Sequence, residues 1–204
     1  MTLYEFDENI KARSGAKLLC GVDEAGRGPL AGDVYAAAVI FPEDVQIDGI
    51  NDSKKLSEKK REALYDEIIS SALCYSICTS SVSEIEEINI LNAAMLAMKR
   101  AVESLSVLPE LVLVDGNKTP DISTRAVSVV KGDAQSQCIA AASILAKVSR
   151  DRYMKQMDKL YPEYQFSKHK GYGTKLHYEM VDKYGLCEIH RPSFFKKYFE
   201  KKNG

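Results

Sequence analysis

Residues 21–32 read GVDEAGRGPLAG. The apolar run LLC precedes them and VYAAAVIF follows. Two strand-like segments therefore flank a glycine-rich turn, as in a hairpin or an adjacent pair. The first segment ends on consecutive carboxylates, Asp23 and Glu24. Acids at a buried strand end are costly unless they are paired or hold a cation. Beyond them the chain is nearly bare except for Arg27, and glycine on either side lets backbone come close to a neighbour. The stretch is not a dinucleotide-binding loop. A strand follows it rather than a helix, and the two acids would repel a pyrophosphate.

The chain has 204 residues, 45% hydrophobic and 28% charged. That is ordinary globular composition, with enough apolar residues for a core. With 28 basic and 29 acidic residues the net charge is −1. No overall field marks a nucleic-acid binder. Local basic clusters (Lys54 and Lys55; Lys59, Lys60 and Arg61; Lys168 and Lys170; Lys196, Lys197, Lys201 and Lys202) are phosphate contacts or solvated faces. No apolar run approaches a membrane span. The acidic start MTLYEFDENI lacks a signal-peptide layout. Five cysteines without a CxxC pair suit reduced thiols in the cytoplasm.

Organisation is expected as a short tail over residues 1–16 and one domain from residue 17, with a helical region from about residue 161. LCYSICTSS, LVLV and AVSVV read as further strands. Ser57 is the expected N-cap of one helix, Ser83 with Glu86 a capping box for a second, and Asp133 the N-cap of a long alanine-rich third. The order of elements predicts a mixed sheet with helices on its faces.

Acids interrupt the apolar runs in a pattern. Asp23 and Glu24 end the first strand, Asp115 ends LVLV, and Asp133 follows VVKG. In open α/β sheets functional groups gather at strand ends. Two carboxylates about 5 Å apart repel by about 3 kcal/mol at an effective dielectric of about 20. If these strand ends adjoin, the acids need a cation, and oxygen-only ligands select Mg²⁺ or Mn²⁺. Such sites handle phosphates. The alternative is that Asp115 is a turn residue and Asp133 a helix cap, unrelated to Asp23. His169 and His177 lack ligand spacing, and Cys187 with His190 is half a zinc pair without its other half.

Seven segments in order, GVDEAGRGPLAG, NDSKKLSEKKRE, NILNAAMLAMKRAVESL, LVLVDGNK, VVKGDAQSQCIAAASILAKVSRDRYM, GYGTKLH and HRPSF, resemble ribonuclease HII, the prokaryotic type 2 ribonuclease H. The likeness runs from residue 17 to residue 197. The GRG at residues 26–28 and the short N-terminal extension set it apart from ribonuclease HIII. Gln135 and Leu176 depart from common family residues without touching the acids. The resemblance implies a ribonuclease H-like α/β fold: a mixed five-stranded sheet flanked by helices, with a C-terminal helical extension. It implies Asp23, Glu24, Asp115 and Asp133 as catalytic metal ligands for Mn²⁺ or Mg²⁺. It implies Gly26, Arg27 and Gly28 as the segment reading a ribose 2′-hydroxyl, the feature that tells RNA from DNA, and Tyr172 as the aromatic against the adjoining deoxyribose. The implied reaction is two-metal hydrolysis of RNA–DNA hybrids and incision 5′ of single embedded ribonucleotides, in primer removal or ribonucleotide repair. The products would carry 3′-hydroxyl and 5′-phosphate ends, and the protein is expected to be a monomer. Lys54, Lys147 and Lys170 are expected phosphate contacts. Asp151 is either an outer acid of the site or a partner of Arg150 or Arg152. A DNA-directed enzyme on the same fold would lack the glycine segment, and a non-catalytic hybrid binder would have lost an acid.

Overall fold

The structure is a computed structural model that describes residues 1–203. Short continuous apolar runs become the centre of one sheet, because its middle strands are buried on both faces. The strands are β1 (Leu19–Ala25), β2 (Val34–Ile40), β3 (Cys74–Ser80), β4 (Leu111–Asp115) and β5 (Ala126–Val129), ordered β3-β2-β1-β4-β5. β1 is antiparallel to β2 and parallel to β4. β2–β3 is antiparallel and β4–β5 parallel.

Side chains alternate across a pleated strand, and the core divides accordingly. Leu19, Ala37, Val39, Leu111 and Leu113 face the long helix α4 (Gln137–Leu160), together with Leu64 and Ile68 of α2 (Glu58–Ser71). Cys20, Val22, Ala36, Ala38, Val112 and Val114 face α3 (Val82–Glu103). α4 lies very close to β1. A Cβ added at Gly21 would sit 2.1 Å from the carbonyl carbon of Cys138. Glycine on the strand and alanines on the helix make that approach possible.

The first sixteen residues, expected as a tail, contain a helix, α1 (Leu3–Ser14), with Thr2 and Glu5 forming its capping box. Its buried Asp7 accepts a hydrogen bond from the Cys138 N–H at 2.9 Å, which docks α1 on the first turn of α4. Two expected caps shift. The capping box of α3 is Ser81 with Glu84, two residues before the expected pair. α4 is capped by Ser136. Asp133 lies in a separate 3₁₀ turn, Gly132–Ala134. In both cases several Ser or Asp residues competed for the cap, and packing of the helix on the sheet decided the register.

Beyond α4 the chain folds into α5 (Phe166–His169), α6 (Lys175–Tyr184) and α7 (Pro192–Asn203). A third cluster including Met154, Tyr164, Phe166, Val181 and Phe195 joins them to Leu30 and Ala31. Inside it runs a chain of histidines. The Cys187 N–H donates to His190 Nδ1 at 2.8 Å. His190 Nε2 therefore carries the proton and donates to His177 Nε2 at 3.0 Å. His177 Nδ1 then donates to the Tyr172 carbonyl at 2.9 Å. Neutral rings satisfy every step.

Burial holds both His177 and His190 down to about 4. The unfolded chain titrates these rings near 6.5, so between there and 4 it binds more protons than the folded protein. Their contribution to stability is complete above about pH 6.5 and is lost as pH falls toward 4, at up to about 1.4 kcal/mol per pH unit for each ring. Ring NMR titration is expected to show both midpoints well below 6. Midpoints near 6.5 would mean that the cluster opens to water.

Candidate active site

β1 and β4 are parallel neighbours with Val22 opposite Val114. The next residues, Asp23 and Asp115, stand side by side where the β1–β4 pairing ends. Both occupy the alternate positions that face α4. The third acid comes from the turn before that helix. Asp115 Oδ1 accepts from the Gly132 N–H at 2.6 Å and from the Asp133 N–H at 3.4 Å, folding the turn over the end of β4. One carboxylate oxygen from each of Asp23, Asp115 and Asp133 lies within 4.8 Å of the others. Glu24 sits on the opposite side of the pleat. Its Oε1 accepts from Arg27 Nη1 at 3.2 Å, so it stands beside the cluster rather than in it.

The cluster is electrostatically strained. Burial pushes the Asp23 carboxyl well above the usual range, and the charges of Glu24 and Asp115 push it further. Burial also raises Asp133, with Asp115 and Asp52 adding to it. Lys54 offsets part of this. Its own burial opposes its charge, yet Asp23, Asp133, Asp52 and Asp115 outweigh that and leave its pKa raised. A hydroxyl chain supports the site from below. Ser143 of α4 favours the ionised form of Asp23, opposing part of the upward push, and its Oγ lies 2.8 Å from Ser53 Oγ. Ser53 opens the 3₁₀ turn that carries Lys54. The donor set contains only oxygen and sits on a strained, anionic floor, which fits a hard divalent cation.

A cleft of about 270 Å³ adjoins the acids, lined by Glu24, Gly26, Arg27, Gly28, Ser53, Lys54, Ser143, Lys147 and Tyr172. Gly26 has φ +103°, and a Cβ there would meet Arg150 Nε at 2.3 Å; only glycine fits. Gly28 differs. A Cβ there would touch nothing closer than the Tyr172 ring, at 3.7 Å. Its bareness leaves space in the cleft and is not demanded by the protein's own packing. The Tyr172 side chain is outside the core, 44% exposed.

The three lysines separate. Lys54 and Lys147 reach the cleft. Lys170 folds its ammonium back onto the Ser167 carbonyl and is not among the lining residues. Lys147 is bonded to Asp151 Oδ1 at 2.6 Å, and burial lowers its pKa. Asp151 also faces Arg61 at 3.7 Å. Its partners are thus Lys147 and Arg61, not Arg150 or Arg152. Residues 52, 53, 143, 150 and 191 also matter here, and sequence reading did not single them out. Only Ser143 left a trace, as the polar residue in the apolar stretch CIAAASILA.

Comparison with known proteins agrees with this architecture. A family model described as ribonuclease HII matches residues 20–200. The ribonuclease HII of Caldicellulosiruptor saccharolyticus is 53% identical over 193 residues, covering 95% of this chain and 94% of the relative. That of Idiomarina loihiensis is 59% identical over 177 residues, covering 87% and 95%. Among solved structures, the ribonuclease H2 of Pyrococcus horikoshii superposes with a TM-score of 0.72 at 28% identity, covering 86% and 93%. The ribonuclease H-like fold, a mixed five-stranded sheet flanked by helices with a C-terminal helical part, is thereby established.

Crowded acids imply a measurable stability change. Without divalent cation, Asp133→Asn is expected to gain roughly 1 kcal/mol net, because the repulsion it relieves is partly offset by the lost attraction to Lys54, raising the melting temperature by about 2–4 °C in a chain of this size. With saturating Mg²⁺ the gain should vanish or reverse, because the wild type then gains binding energy that the variant has partly lost. Thermal melts in chelator and in Mg²⁺ decide it. Equal shifts in both would show that Asp133 does not share a cation site.

Proposed function

The chain belongs to the ribonuclease HII family, an endonuclease family of hydrolases, and from that premise we propose its substrate and the parts its residues play. It hydrolyses the RNA strand of RNA–DNA hybrids and incises duplex DNA on the 5′ side of single ribonucleotides, leaving 3′-hydroxyl and 5′-phosphate ends. The observation that carries the reading is the placement of the Asp23, Asp115 and Asp133 oxygens beside a cleft walled by glycine backbone, two lysines and an exposed tyrosine.

Mn²⁺ or Mg²⁺, two ions when substrate is bound, would be held by Asp23, Asp115 and Asp133, with Glu24 joining from the edge of the cluster on exchanging its Arg27 contact for a cation, and would supply activation of water and charge stabilisation at the leaving 3′-oxygen. The protein's own residues do the rest. The anionic cluster must stay ionised to hold cations, and Lys54 favours that state. Lys54 and Lys147 are placed to meet phosphate oxygens entering the cleft. Lys170 would have to leave the Ser167 carbonyl to do the same. The backbone of Gly26, Arg27 and Gly28 approaches the ribose 2′-hydroxyl, which DNA lacks. The Tyr172 ring lies against the next sugar, where a flat contact leaves no room for a second 2′-hydroxyl. The five free thiols suit the reducing cytoplasm, where the enzyme is taken to act as a monomer.

The decisive assay is cleavage of a duplex carrying one embedded ribonucleotide, with and without Mn²⁺ or Mg²⁺. Wild-type protein should cut once, 5′ of the ribonucleotide, only with metal. Asp115→Asn, close to isosteric, should keep duplex binding and lose more than about nine-tenths of turnover, because it removes an anionic ligand. Binding without cleavage by the wild type would favour a hybrid-binding module instead.

Tyr172 gives a second check. A stacking contact of this type contributes roughly 1–3 kcal/mol, so Tyr172→Ala should slow incision at a single ribonucleotide by about tenfold to a hundredfold. An all-RNA strand offers no deoxyribose at that position and should lose much less. Because the ring is exposed, melting should be unaffected. Equal slowing on both substrates would remove Tyr172 from junction recognition.

A further inference from the structure

Arg191 is fully buried, 0% exposed. Among the described residues it forms no ion pair; the arginines that do are Arg27, Arg61, Arg100 and Arg152. A guanidinium has five N–H donors in a rigid fork. Here it makes five hydrogen bonds, all to backbone carbonyls of residues 26–32. Nε donates to Gly32 O at 2.9 Å. Nη1 donates to Pro29 O at 2.7 Å and Arg27 O at 3.3 Å. Nη2 donates to Gly26 O at 2.7 Å and again to Gly32 O at 2.6 Å. A core filler would not need this charge, whose burial is costly without partners. Carbonyls that converge on one point in a sharply folded glycine segment do need it.

Holding those carbonyls has a consequence on their other side. In a trans peptide the C=O and the following N–H point in opposite directions. With Gly26 O and Arg27 O drawn toward Arg191, the N–H groups of Arg27 and Gly28 are turned away from it. Among the described residues neither has a hydrogen-bond acceptor. They are free donors in a segment that lines the cleft.

The same short strap also reaches Tyr172. Residues 189–191 pair with residues 30–32: Gly32 N–H donates to Ile189 O at 2.8 Å, Arg191 N–H to Leu30 O at 2.9 Å, and Ala31 bridges His190. His190 holds His177, which holds the Tyr172 carbonyl. Leu30 N–H bonds Gly171 O at 2.8 Å. Arg150 adds a cross-brace from the other side, through Ala31 O and Lys170 O. The glycine segment and the tyrosine turn thus share one anchor, from two elements more than 140 residues apart in sequence.

We propose that Arg191 is a positioning residue for recognition of the RNA–DNA junction: it presents the N–H groups of Arg27 and Gly28 to the ribose and fixes their spacing from Tyr172. The proposal rests on the sugar-reading role given to those residues above. It concerns alignment of two contacts, so its signature is the ratio of incision at a single embedded ribonucleotide to cleavage of an all-RNA strand in a hybrid. Lysine can satisfy only part of the carbonyl set, and a misplacement of about 1 Å can cost up to about a hundredfold. Arg191→Lys is expected to lower the ratio by about tenfold. In a Tyr172→Ala background, where nothing remains to be aligned, it should change the ratio by less than about twofold. A residue that merely stabilises the fold would slow both substrates together in both backgrounds.

The experiment measures both substrates at saturating Mg²⁺ for wild type, Arg191→Lys, Tyr172→Ala and the double variant, with melting temperatures alongside. An unchanged ratio in Arg191→Lys overturns the proposal, as does a drop that multiplies in full with that of Tyr172→Ala. If Arg191→Lys is insoluble, Arg191→Gln, which keeps two donors without a buried charge, carries the same comparison. A wild type that shows no incision at the single ribonucleotide would instead sink the functional reading on which the proposal depends.

Discussion

The pairing of Val22 with Val114 across two parallel strands is the constraint on which the site hangs. It places Asp23 and Asp115 at the same height and on the same face. A slip of one residue would send one of them to the opposite face, because side chains alternate along a strand. Two features hold the register. Both faces of β1 and β4 are buried, under α4 on one side and α3 on the other. And Gly21 lets the α4 backbone press so close that a shift by one residue would drive a Cβ into it.

That close approach does a second job. The chain entering α4 passes directly over the strand ends, which is why the turn holding Asp133 lands on Asp115. Like charges are thereby forced together, and burial compounds the cost. The fold accommodates this locally with Lys54, the Ser53–Ser143 hydroxyl pair and the N–H groups of residues 132 and 133. Such strain at a ligand site is what a cation can relieve. The rest of the sheet, being apolar and close-packed, supplies the stability that keeps the arrangement folded.

The glycine segment is held by a different device. Residues 26–32 form no regular element, and apart from the short bridge at Ala31 their carbonyls have no ladder to join. Two buried arginines, Arg150 and Arg191, take that role. This explains why the C-terminal extension is more than an appendage. Through His190 and Arg191 it sets the backbone of a loop next to the acidic cluster, and through His177 it sets the tyrosine turn. A loop braced in this way keeps its shape with little side-chain packing around Gly28, leaving open space there in the cleft.

What the sequence determined by itself was local or periodic. Short apolar runs marked the strands, and acids ending those runs marked the carboxylate set. Glycines around Arg27 marked backbone exposed to a partner, and the order of seven motifs pointed to the family. Caps were less legible: Ser81, Ser83, Asp133 and Ser136 are all competent, and only packing of each helix against the sheet chose among them. Two consecutive acids on one strand must face opposite ways, but the sequence was silent on Asp151 choosing Lys147 and Arg61, and on Lys170 turning away from the cleft. It gave no sign that α1 was a docked helix, because Asp7 finds its partner at Cys138, 131 residues on. Arg191 shows the reason most plainly. An arginine in HRPSF carries no mark of burial, since its four acceptors are backbone carbonyls identical in every residue type, and only the tertiary fold brings them to one point.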